Sequence, residues 1–134
     1  MEEDRLTSEI IASALKVHKA LGPGCLESAY KNALHHDLTR KDIRVELEKS
    51  FPLVYDGIRT KKGYRVDLLV EKKIVVEVKA AKAIVPVDIS QVQTYLTLSG
   101  CRVGLIINFN VRWLKDGIKR IVSPKRQSCD LPLR

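Results

Sequence analysis

Residues Tyr64 to Lys79 read YRVDLLVEKKIVVEVK, and the rest of the chain is arranged around them. Two apolar runs, Val66–Val70 and Ile74–Val78, flank a short charged connection, Glu71-Lys72-Lys73. Runs of this length, rich in Val, Ile and Leu, predict two largely buried strands joined as a β-hairpin. Three ionisable residues interrupt them: Asp67, Glu77 and Lys79. A charge inside a buried strand costs on the order of several kcal/mol unless it is paired or binds a metal. The three are therefore read as a site.

Side chains on a strand alternate, so Glu77 and Lys79 share a face and Val78 points the other way. A turn centred on Lys72 sets Asp67 directly across from Glu77, with the Lys79 amine one pleat along. A two-residue turn at Lys72-Lys73 would instead pair Asp67 with Val78 and put the acids on opposite faces. The site thus requires an odd-length connection, or a bulge near Asp67. Two convergent carboxylates suit Mg²⁺ or Mn²⁺, hard ions that take oxygen ligands and keep several waters. The Val78 carbonyl can add another oxygen. Such an ion lowers the pKa of a bound water and stabilises charge on a phosphodiester; Lys79 would orient that water or neutralise the charge. The competing reading is a buried salt bridge among Asp67, Glu77 and Lys79.

Upstream, Ile10, Ile11, Ala14, Leu15 and Val17 recur at helical spacing and predict a helix over Leu6–Leu21, with Thr7 or Ser8 as its cap. Gly22-Pro23-Gly24 breaks it. A second helix is expected over roughly Leu26–Arg40, with Leu26, Ala29, Tyr30, Ala33, Leu34 and Leu38 inward, and Glu27 and Tyr30 on one face. His18 reads as a core or helix-end residue, and His35 and His36 receive no role. Ile43–Tyr55 reads as a strand with Pro52 near an edge or bulge. Asp56-Gly57 and Lys61-Lys62-Gly63 read as turns around a short strand at Ile58-Arg59.

Downstream, Pro86 opens a helix over Val87–Ser99 that stops at Gly100. Gln91 and Tyr95 lie four apart and share its face, where they could meet phosphate or stack on a base. Val103–Ile107 is a continuous buried strand, Asn108–Lys115 a loop or short helix, and Gly117–Val122 a late strand. The fold class is α/β: a mixed sheet flanked by helices, with the Val103 strand parallel to a neighbour through a helical crossover. A single domain over residues 1–122 and a mobile tail over 123–134 are expected.

The 134 residues, 45% hydrophobic and 30% charged, suit one globular domain. A net charge of +8 favours a polyanionic partner, nucleic acid first and an anionic membrane surface second, or simply solubilises the chain. No stretch approaches the roughly 20 apolar residues of a membrane span. The acidic start MEEDRLTSE has no apolar signal core, so a cytoplasmic location is expected. Cys25, Cys101 and Cys129 are scattered and form no C-x-x-C pair, which argues for reduced thiols.

Asp67, then Glu77-Val78-Lys79, then Gln91-Val-Gln-Thr-Tyr95, resemble the D…E-x-K…Q-x-x-x-Y signature of RecB-like members of the PD-(D/E)XK nuclease superfamily. Gly24-Cys-Leu-Glu27-Ser-Ala-Tyr30 is similar to the G-x-x-E-x-x-Y motif of the GxxExxY proteins, a branch of that superfamily. VHKALGPG, GYRVDLLV, VEVKA, QVQTYL and VGLIINF extend the resemblance from about Leu6 to Val122. It implies a restriction-endonuclease-like core, with Asp67 and Glu77 as metal ligands and Lys79 as the catalytic lysine. Glu27 would be an additional ligand or water holder, and Gln91, Tyr95 and Tyr30 would contact substrate. Val66 stands where the family usually has proline, and the iron–sulfur cysteines of some relatives are missing, so no cluster is expected.

Two functions follow as expectations. The first is an Mg²⁺- or Mn²⁺-dependent nuclease hydrolysing DNA, less readily RNA. The second is a catalytically silent nuclease-fold module that binds nucleic acid or a protein partner. A membrane-surface or acidic-protein binder is a third, resting on charge alone. A homodimer is compatible with the first, since small nuclease-fold proteins pair to cut two strands.

Overall fold

A computed structural model describes residues 2–59 and 63–123. Lys61 and Lys62 of the second expected turn, the tail beyond Ser123, and Cys129 lie outside the described residues. The first helix, α1 (Glu2–Leu21), begins four residues earlier than the apolar spacing indicates. Glu2, Glu3 and Asp4 fill its first turn, where negative charge meets the positive end of the helix dipole. Thr7 is consequently a buried interior residue and not a cap. The second helix, α2 (Glu27–Arg40), buries Tyr30, Leu34 and Leu38. Leu26, at the N-cap position, is 77% exposed, and Ala29 also faces out; the inward stripe starts at Tyr30.

Five strands make one sheet: β1 (Val45–Phe51), β4 (Tyr64–Val70), β5 (Ile74–Lys79), β6 (Val103–Asn108) and β7 (Ile118–Val122), adjacent in that order. Pro52 ends β1, and a separate two-stranded ribbon follows, β2 (Val54–Tyr55) and β3 (Ile58–Arg59), turning at Asp56-Gly57. Among the described residues the only parallel pair is β5 with β6, joined by the third helix, α3 (Pro86–Ser99), as the crossover reading requires. Gly100, in the left-handed region at φ 77°, caps α3.

The sheet is covered on both faces. Beneath α1 and α2 lie Leu6, Ile10, Tyr30 and Leu34 with Leu68, Val70, Val76, Val78, Leu105 and Ile107. Beneath α3 lie Val92, Tyr95 and Leu96 with Val66, Leu69, Val75 and Ile106. Gly104 lets α3 sit close: a Cβ there would stand 2.7 Å from Val92 Cγ1. His18 takes the structural role expected of it, with Nε2 2.8 Å from the Val111 carbonyl. Cys25 and Cys101 are free thiols.

Candidate active site

The hairpin has the register that the site needs. Leu68 pairs with Val76, Leu69 with Val75 and Val70 with Ile74, leaving Glu71-Lys72-Lys73 as a three-residue connection. Carried one step further, this register sets Asp67 opposite Glu77, and there the regular ladder stops. Asp67 Oδ2 instead accepts the Val78 N–H at 2.9 Å. Strand β4 also changes face at this residue. Tyr64 and Val66 pack beneath α3, whereas Leu68 and Val70 pack beneath α1 and α2. In a regular strand residues two apart share a face, so the switch falls at Asp67. On the other flank, Glu48 of β1 has φ 54° and is skipped between the pairs Leu47–Leu68 and Lys49–Val66. Asp67 thus sits at an irregularity in both neighbouring ladders, which frees its carboxylate from the pleat.

Glu77 is the buried member, 7% exposed, and its Oε1 has no hydrogen-bond partner. Burial first, and then the negative charge of Asp67, push its carboxyl up to about 8, against the opposing pull of Lys79. Glu27, exposed in the first turn of α2, adds a smaller push in the same direction, so it shares the field of the site. The surroundings thus disfavour the charged form of Glu77. Tyr95, 3% exposed on α3, is raised to about 12 by burial and then by Glu77 and Asp67, and its ring meets Tyr64 edge-on at 6.0 Å. Gln91 is half-buried one turn earlier on the same helix.

The three-way salt bridge weighed above is not the one formed. Lys79 pairs with Asp88 Oδ1 at 3.6 Å, at the start of α3, where Asp88 Oδ2 also accepts the Val85 N–H. Asp67 pairs instead with Lys31 of α2, at 3.8 Å. Lys31 in turn lies 3.0 Å from Glu48, which Arg65 also approaches at 3.4 Å. Lys31, Glu48 and Asp88 were not singled out by sequence, because no local pattern links residues this far apart in the chain.

Tyr30 requires a correction. It was expected at the substrate, yet it is fully buried and stacked on Phe109 with ring centroids 4.5 Å apart. Its hydroxyl donates to the Gly22 carbonyl and accepts the Cys25 N–H. Both hydrogen bonds clamp the Gly22–Cys25 loop that delivers Glu27 to the head of α2.

The donors suit a hard cation. Asp67 and Glu77 supply carboxylate oxygens, Glu77 Oε1 is buried without a partner, and Val78 buries its side chain so that only its main chain faces the pair. Among the described residues no group of three His, Cys, Asp or Glu gathers closely enough to hold an ion alone. The two carboxylates and the Val78 carbonyl could be only part of a divalent cation's shell, with waters completing it. Beyond Lys79, at the ends of β5 and β6, a cavity of about 310 Å³ is lined by Lys82, Ile84, Asn108 and Lys119 among others. Asn108 is the register partner of Lys79.

Among the described residues no helix is long and apolar enough to cross a membrane. No curated protein matches the chain, and no solved structure does. A family model described as the PD-(D/E)XK nuclease superfamily matches residues 4–121. That span takes in both helices that cover one face of the sheet, the acidic hairpin, α3 and the β6 strand, and with it the chain belongs to the PD-(D/E)XK nuclease superfamily.

Proposed function

We propose that this chain is a divalent-metal-dependent nuclease that hydrolyses DNA phosphodiesters, and that within the superfamily it falls in the RecB-like, GxxExxY branch. The observation that carries the reading is the Glu77 carboxyl, buried beside Asp67 with one oxygen unpartnered. A buried carboxyl beside a second carboxylate, with one oxygen left unpartnered, is the kind of group that a bound cation would satisfy.

Asp67, Glu77 and the Val78 carbonyl would hold Mg²⁺ or Mn²⁺, with Glu27 steadying a water at the rim. The ion supplies Lewis acidity, lowering the pKa of a bound water and neutralising charge on the phosphate. Lys79, held toward α3 by Asp88, orients the attacking water and offsets negative charge as it develops. Gln91 and Tyr95 form the α3 wall, where they contact phosphate or stack on a base. The net charge of +8, and the lysines of the cavity beside Asn108, suit a polyanionic strand leaving the site. A cytoplasmic location and pairing into a homodimer belong to the same proposal.

One observation favours the silent module instead. Both cations near the acids, Lys79 and Lys31, are already engaged by carboxylates. The test is incubation with supercoiled, linear and single-stranded DNA in Mg²⁺ and in Mn²⁺. Cleavage is expected, and Lys79→Ala should abolish it while leaving DNA binding intact. Salt-sensitive binding with no cleavage under any condition would establish the module.

A further inference from the structure

We infer that Lys31 is a resident counter-ion of the acidic site: a tethered ammonium that keeps Asp67 compensated until a divalent cation arrives, and that Glu48 then draws aside. The inference rests on Asp67 and Glu77 being the ligands of that cation. The two hairpin acids and Glu48 come from three adjacent strands at one level of the sheet. Lys31 reaches this row from above, on α2, one turn after Glu27 and on the same helix face. Its side chain is 14% exposed, and that of Asp67 is 15% exposed. A lysine side chain this largely buried is held by its partners, and it has two.

The partners are unequal. Glu48 is the nearer, at 3.0 Å, and Asp67 the farther, at 3.8 Å. Glu48 adopts φ 54°, a conformation unfavourable for a residue with a Cβ, at the point where it meets Lys31. Lys79 does not duplicate the role, because Asp88 holds it. A divalent ion entering at Asp67 would meet the Lys31 charge within a few ångströms. Repulsion between such charges is large enough, even at a high effective dielectric, to change affinity by tenfold or more. Moving the ammonium fully onto Glu48 relieves that repulsion, so Lys31 and Glu48 together set how tightly the ion is held.

The test is titration calorimetry with Mg²⁺ alone on the full chain, at one fixed pH and ionic strength for all variants. Circular dichroism checks that each variant is folded. Lys31→Met removes the competing charge and is expected to tighten Mg²⁺ binding by about tenfold or more. It leaves Glu48 paired with Arg65 and Asp67 bonded to the Val78 N–H. Glu48→Gln releases Lys31 onto Asp67 and is expected to weaken binding several-fold. Unchanged or weaker binding by Lys31→Met would make Lys31 a mere brace and overturn the inference. If that variant does not fold, Glu48→Gln decides, and unchanged or tighter binding there overturns it. Absence of Mg²⁺ binding in all three proteins, wild type included, would remove the metal reading itself and this inference with it.

Discussion

Glu77 ties the stability of the chain to pH in a direction that can be worked out. Below its ordinary 4.5 the carboxyl is protonated in folded and unfolded chains alike, and its burial carries no charge penalty. Above that, the unfolded chain loses the proton while the fold retains it up to about 8. Its contribution to stability therefore falls across that window and levels off beyond it. Glu77→Gln removes the effect: its melting temperature is expected to gain on the wild type as pH rises from 5 to 8, and to hold that lead at pH 9. Saturating Mg²⁺ at pH 8 should narrow the gap, since an ion stabilises the charged carboxylate that the fold alone disfavours. A gap that is constant with pH would show that Glu77 titrates normally. At this scale the approach of Asp67 to Glu77 was legible, because charges inside apolar runs stand out. Their true ion-pair partners were not, since Lys31, Glu48 and Asp88 look like ordinary surface charge until the chain is folded.

At the scale of the element, the hairpin was readable for a definite reason. With side chains repeating every two residues, a regular hairpin brings Asp67 opposite Glu77 when its connection is odd, and three residues were available between the apolar runs. The connection is nevertheless uncomfortable, with Glu71 at φ 52° and Lys72 at φ 57°, both left-handed and neither glycine. Lys72→Gly is expected to raise stability by roughly 1 kcal/mol in a urea titration, because a Cβ is disfavoured by about that much in this conformation. Helix starts were less legible. An apolar stripe marks where a helix touches the core, whereas α1 is extended outward by acids interacting with its dipole, a surface effect. Leu26 and Ala29 misled in the opposite sense, since apolar residues at the exposed head of a helix carry no instruction to face inward.

For the molecule as a whole, the mixed sheet and its two helical layers followed from the alternation of short apolar runs with helical spacing. The route of a bound strand did not, because it depends on loops after β5 and β6 that fold back beside Lys79. The proposed DNA path crosses the cavity that Lys82 and Lys119 line. Replacing both with Ala should flatten the slope of log binding constant against log salt by about 2, roughly one counter-ion per lost phosphate contact. Cleavage chemistry at saturating DNA should be unaffected. An unchanged slope would route the strand elsewhere.

The outermost strands impose a further condition on how copies of this chain meet. The two rims of the sheet are β1 and β7. One carries Glu46, Glu48 and Lys49, with its backbone kinked at Glu48, and the other carries Lys119 and Arg120. A second copy trying to prolong the sheet would meet a bent hydrogen-bonding ladder on one side and, on the other, the charged side chains of Lys119 and of Arg120, the latter paired with Asp4 of α1 at 2.9 Å. Fibrillar stacking through these rims is thereby discouraged even at high concentration, and any symmetrical pairing has to be built from helical or loop surfaces.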